Sequence, residues 1–216
     1  MILSKALLTK TNRLEFPEER VQRIAEEGYI YLSSYFHGET DYLNFLENIS
    51  QNKFEKFLHT IFFYWAHDLY KISEKERPSN IDGFMYQITL SMIEYLNNNI
   101  SDVPWKRIKD FSKYFSSKAQ SELNKMITAR HSDNGHIKLE FWQILYDMRN
   151  EFIHKAKWFN LIEENMGVFA SIGVTAHRNK DKTYTKYNSI IKIKFQDYLR
   201  FFWEAYLNYF GKDAKS

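Results

Sequence analysis

Between Asp147 and His154 the chain reads D-M-R-N-E-F-I-H, which places a guanidinium at Arg149, an amide at Asn150 and an imidazole at His154. Histidine titrates near neutral pH and can take or give a proton, while arginine stays charged and offers a planar fork that matches a phosphate. Cleavage of an RNA phosphodiester needs those functions. The 2′-hydroxyl serves as nucleophile, so neither a metal nor a covalent enzyme intermediate is required, and a guanidinium can stabilise the charge that develops around phosphorus. A site of this kind is expected to need no cofactor.

The element that must position these groups is a helix, because an apolar pattern of helical period runs from about Ile137 to Glu163. At about 100° per residue, Phe141, Leu145, Met148, Phe152 and Phe159 share one narrow face, the seam against a bundle. Trp142, Tyr146, Asn150, Ile153 and Lys157 line up roughly opposite, with His154 beside Asn150 and Arg149 between the two faces. A helix with two apolar-aromatic faces needs two partners. The second is either another bundle helix or the identical helix of a two-fold related copy, which would bring two Arg and two His together. Tyr146 and Lys157, on the same side as the polar trio, are the residues expected to touch substrate.

The string R-N-x-x-x-H, late in a helical region and preceded by an amphipathic helix, resembles the R-x(4-6)-H motif of the HEPN superfamily, with Asn150 as the polar residue that often follows its Arg. The likeness covers six residues in detail and Asp41 to Glu163 in architecture. It implies a helical bundle that dimerises so that two copies of the motif form a composite cleft. It also implies a metal-independent endoribonuclease of toxin–antitoxin, CRISPR or antiviral defence type. On that resemblance Arg149 positions the phosphate, Asn150 orients the site and His154 carries protons. The Tyr found two positions after the His in members paired with nucleotidyltransferase antitoxins is Ala156 here, so adenylylation at that position is not expected.

Two other constellations compete. His67-Asp68, with His37 upstream, resembles the metal-binding pair of the helical HD phosphohydrolases, although the Gly expected after it is Tyr70 and His67 points away from its helix's apolar stripe. His131 and His136 flank Asp133 in a polar stretch that reads more simply as a turn. Farther on, Arg178 to Lys182 with Lys186, Lys192 and Lys194 could meet RNA phosphates, or could be a solvated hairpin tip whose lysines protect an edge strand.

The rest of the sequence fits a mainly helical protein. Only 7 Gly and 3 Pro occur in 216 residues, which disfavours turn-dense all-β folds, and the closest glycines, Gly167 and Gly173, cannot form a phosphate-cradling loop. With 0 Cys there is no thiolate metal site or disulfide. A net charge of +3 permits a polyanionic partner without demanding one. The apolar stretch of Met1 to Lys10 is broken by Ser4 and Lys5, unlike a secretion signal, and no apolar run is long enough for a membrane helix. A cytoplasmic location is expected.

Helices are predicted over Pro17–Phe36, Asp41–Ile49, Phe54–Ile72 and Ile81–Leu96, and then as one stretch from Asp102-Val103-Pro104 through Met126. After Gly167 the period changes to that of a β-hairpin, with arms at Val168–Thr175 and at Ile191, Ile193 and Phe195. Asp197 is expected to cap a closing helix that contains Tyr198, Leu199, Phe202, Tyr206 and Phe210. The whole reads as one domain over 1–216, with the bundle at about 17–164 and the hairpin and closing helix at about 167–211. The expected function is a homodimeric endoribonuclease acting on RNA, with an antitoxin or regulatory protein as a further partner and no membrane contact. The alternatives are a catalytically silent dimeric interaction module and, behind it, the HD-type phosphohydrolase.

Overall fold

A computed structural model describes residues 1–9, 17–66, 81–98, 101–130, 136–155, 160–164, 167–171, 174–193 and 195–212. The chain is mainly helical, with an antiparallel sheet in its second half. It divides into two compact units, Met1–Lys75 with Tyr206–Ser216, and Glu76–Ala205.

The first unit holds α1 (Lys5–Thr9), α2 (Glu18–Leu32), a 3-10 turn (Ser33–Tyr35), α3 (Glu39–Asn48) and α4 (Gln51–Ala66). Glu18 and Glu19 in the first turn of α2 complement the positive end of its dipole. Phe54, Phe57, Leu58 and Ile61 of α4 are fully buried, as their spacing requires. The lower part of that stripe, Leu69 and Ile72, lies outside the described residues, as do His67 and Asp68. Gly28 on α2 permits a close approach: a Cβ there would sit 2.7 Å from the Tyr42 hydroxyl, which donates to the Ala25 carbonyl at 3.0 Å. Phe57 is the hub of the aromatic core, with ring centroids 5.5 Å from Phe210, 5.6 Å from Tyr206 and 5.8 Å from Phe45.

The second unit begins with α5 (Ile81–Leu96), α6 (Pro104–Ser112) and α7 (Ser117–Met126). The single stretch expected from Asp102 to Met126 is two helices, because the Ser116 side chain accepts a hydrogen bond from the Ala119 amide and so starts a new helix. Then come β1 (Ile127–Arg130), β2 (His136–Ile137), α8 (Phe141–Lys155), β3 (Asn160–Glu164), β4 (Gly167–Ser171), β5 (Val174–Arg178), β6 (Tyr184–Ile191) and α9 (Phe195–Tyr209).

The long helix expected to reach Glu163 is described as α8 as far as Lys155, and Asn160–Glu164 is a strand instead. Residues Asn160–Glu164 pair in register with β4 along their whole length. Strand partners so close in sequence satisfy the backbone locally, and this overrides the helical preference of Glu163 and Glu164. A hairpin does close around the expected charged turn, but its arms are β5 and β6, with Arg178 opposite Tyr184 and Val174 opposite Asn188. Most of the first arm expected at Val168–Thr175 is instead β4, and the hairpin belongs to a larger sheet of order β2-β1-β6-β4-β3, with β5 on β6. Ile193 and Phe195 are not strand positions: β6 stops at Ile191 and Phe195 opens α9. Asp197 lies inside the first turn of α9 rather than before it, where it accepts from Arg200 at 2.7 Å.

Burial sorts the positions that matter for folding from those that do not. Phe57→Ala is expected to destabilise the first unit by about 3–5 kcal/mol, whereas Ile30→Ala, at a position 56% exposed, should change stability by less than about 0.5 kcal/mol. Urea unfolding of the two variants checks the contrast, and equal losses would mean that the Phe57 cluster is not the core of this unit.

Candidate functional site

Helix α8 packs against α5, α6, α7, β1 and β5. Of its expected core seam, Phe141, Leu145 and Met148 are buried, and Ile144 joins them, while the Phe152 side chain lies outside what is described. Phe159 lies outside the described residues. At about 100° per residue, the seam spans about 100° of the helix, and a polar anchor sits on each side of it.

On one side Arg149 reaches α5. Its Nη2 donates to Glu94 Oε2 at 2.9 Å, and its Nη1 donates to Asn150 Oδ1 at 3.2 Å. Both members of the ion pair are mostly buried, with side chains 17% and 14% exposed. Burial pushes the Glu94 carboxyl above its usual range, against the opposing pull of Arg149 and Arg107. Arg149 Nε and Glu94 Oε1 are buried with no hydrogen-bond partner among the described residues, so the pair uses one of the two bonds that a parallel fork would make.

On the other side Asp147 reaches the sheet. His177 Nδ1 of β5 lies 2.8 Å from Asp147 Oδ2, and the Tyr187 hydroxyl of β6 donates to the same oxygen at 3.1 Å. Burial raises the Asp147 carboxyl to about 6, and the neighbouring buried Glu151 adds to the rise, while His177 and Tyr187 oppose it. Burial and the Asp147 charge together push the Tyr187 hydroxyl well up. Once ionised, the Asp147 carboxylate accepts from the Nδ1–H of His177. Sequence reasoning missed His177, Tyr187 and Glu94. They are far from Arg149 in the chain, and only the sheet register and the packing of α5 bring them to α8.

The remaining sector of α8 is open. Trp142, Tyr146 and Asn150 are half-buried, and Ile153 is 50% exposed. His154 is exposed and makes no hydrogen bond or ion pair among the described residues. Arg149 and His154 border this sector from opposite sides, about 140° apart around the helix at five residues' separation. One chain therefore does not bring them to a common point. Lys157 lies outside the described residues, as do His131 and Asp133. Among the described residues no group of His, Asp and Glu is arranged to hold a metal ion, and no helix is long and apolar enough to cross a membrane.

Compared with known proteins, the chain matches no family model, no curated protein and no solved structure.

The Asp147 anchor has a pH signature. A carboxyl raised by folding from 3.8 to about 6 adds stability that is complete below pH 4 and is lost as the pH rises through 6. Asp147→Asn is expected to flatten that fall, seen as a smaller drop in Tm between pH 4 and pH 7 than in the wild type. An unchanged slope would show that Asp147 does not carry it.

Proposed function

We infer that the protein is a metal-independent endoribonuclease of the HEPN type, whose site forms when two copies meet along the open sector of α8. The observation that carries this reading is the sector itself: an exposed His154 without a partner among the described residues and a guanidinium held at Arg149 border it on opposite sides, with Tyr146, Asn150 and Ile153 between them. A large apolar side chain left wholly in water forfeits on the order of 1.5–3 kcal/mol, and the half-exposed Ile153 forfeits part of that, which favours a covering partner. A two-fold copy laid on the sector would bring its own His154 toward Arg149 of the first chain.

In that arrangement His154 removes the proton of a ribose 2′-hydroxyl, and the freed oxygen attacks the adjacent phosphorus. The bond to the 5′-oxygen breaks, the imidazolium returns a proton to that oxygen, and a 2′,3′-cyclic phosphate remains. Arg149 stabilises the charge on the phosphoryl oxygens, and Glu94 and Asn150 hold its fork in place. Tyr146 lies where a base could stack. A toxin or defence role and an antitoxin partner follow from the resemblance alone.

A second reading, a catalytically silent dimeric module, is favoured by the Glu94 bond, which already occupies Arg149. The two separate on total RNA. Wild type is expected to cut it in the presence of EDTA and leave cyclic phosphate ends, whereas His154→Ala is expected to lose at least 100-fold in rate with an unchanged Tm. Ile153→Asp should sediment as a folded, inactive monomer. Absence of cleavage by wild type, with dimers intact, favours the silent module, and activity restored only by Mn²⁺ or Mg²⁺ contradicts both.

A further inference from the structure

Strands β1 (ITAR), β5 (VTAHR) and β6 (YTKYNSII) contain no Asp or Glu. Their register sorts every side chain to one of two faces. The inner face, with Thr175, Tyr187, Ser189, Ile191 and Ala129, is buried. On the outer face Arg178 stands directly opposite Tyr184, Lys186 follows two residues along β6, and Arg130 stands opposite Asn188. Arg130, Arg178 and Lys186 are exposed, and none of their side chains makes an ion pair among the described residues. Tyr184 is 64% exposed. Lysines that merely protect an edge strand would not call for an aromatic ring set among them.

We propose that this outer face of β1, β5 and β6 is a binding platform for single-stranded RNA, with Arg130, Arg178 and Lys186 on phosphates and Tyr184 stacking on an unpaired base. Three cations that are unpaired among the described residues, on strands without an Asp or Glu, fit a polyanion, and the exposed ring among them selects one that carries planar bases. The proposal rests on the ribonuclease reading for its substrate class. It adds a surface distinct from the Arg149–His154 sector, since α8 meets the inner side of the sheet through Asp147 and His177. Such a platform holds a segment of substrate away from the bond being cut, so it acts on KM and leaves kcat in place.

The test uses the full chain and a fluorescent 20-nucleotide single strand of 2′-O-methyl RNA, which lacks the attacking hydroxyl and reports binding without cleavage. Wild type is expected to bind with a steep salt dependence. Arg130→Glu, Arg178→Glu and Lys186→Glu combined should weaken binding at least tenfold and flatten the salt slope, with Tm unchanged. Tyr184→Ala should weaken binding about tenfold, and the blunt-ended duplex of the same sequence should compete poorly. Equal binding by wild type and both variants would overturn the platform and leave the ribonuclease reading intact. Equal competition by polyglutamate, with Tyr184→Ala neutral, would make the face a site for acidic protein and also overturn it. Binding that follows these expectations in a protein that cuts no RNA would sink the ribonuclease reading alone.

Discussion

The rotation of α8 about its own axis is the constraint on which the rest of the site depends. Its apolar seam would tolerate a turn of some tens of degrees, because Leu, Ile, Met and Phe side chains can repack. Its buried polar groups would not. Asp147 must meet His177 and Tyr187 on one side, and Arg149 must meet Glu94 on the other. Losing either partner strands a buried charge, which costs far more than an imperfect apolar contact. The two anchors therefore fix which residues face the core and which remain available, and Ile153 and His154 are left outside by elimination.

The same anchors set the chemistry that Arg149 can perform. A guanidinium on a free side chain would bring charge but little direction. Glu94 and Asn150 take one donor from each terminal nitrogen and so orient the fork, in a setting where burial has already pushed the Glu94 carboxyl upward. An anionic phosphate approaching Arg149 must share it with Glu94. On the proposed reading, an oriented, partly neutralised arginine and a histidine without a partner among the described residues would suit stabilising charge that appears during a reaction rather than charge already present in the bound substrate.

How much of this was legible in the sequence follows from the range of the interactions. The seam of α8 and the stripe of α4 from Phe54 to Ile61 could be read directly, since a helix reports its buried face through local spacing. The β5–β6 hairpin was visible in its charged turn. Strand β4 was visible as extended chain but read as an arm of that hairpin, whereas β1 and β3 were not read as strands: Ile127–Arg130 is too short to show a period, and Asn160–Glu164 continues a helical pattern until its pairing with β4 decides otherwise. The partners of Arg149 and Asp147 were hidden for a different reason, because Glu94 and His177 lie 55 and 30 residues away and carry no local mark. The outer face of the sheet needed the register that aligns Arg130 with Asn188 and Arg178 with Tyr184.

On the proposed reading, one chain's Arg149 and another chain's His154 act on the same phosphate. Mixing two separately inactive proteins, Arg149→Ala and His154→Ala, tests it most directly. After subunit exchange, a mixed dimer keeps one intact combination of Arg149 and His154 across its interface. Cleavage of RNA is expected to reappear on mixing, approaching half the wild-type rate per mixed dimer. A mixture that exchanges subunits and stays inactive, while each parent remains a folded dimer, would contradict it.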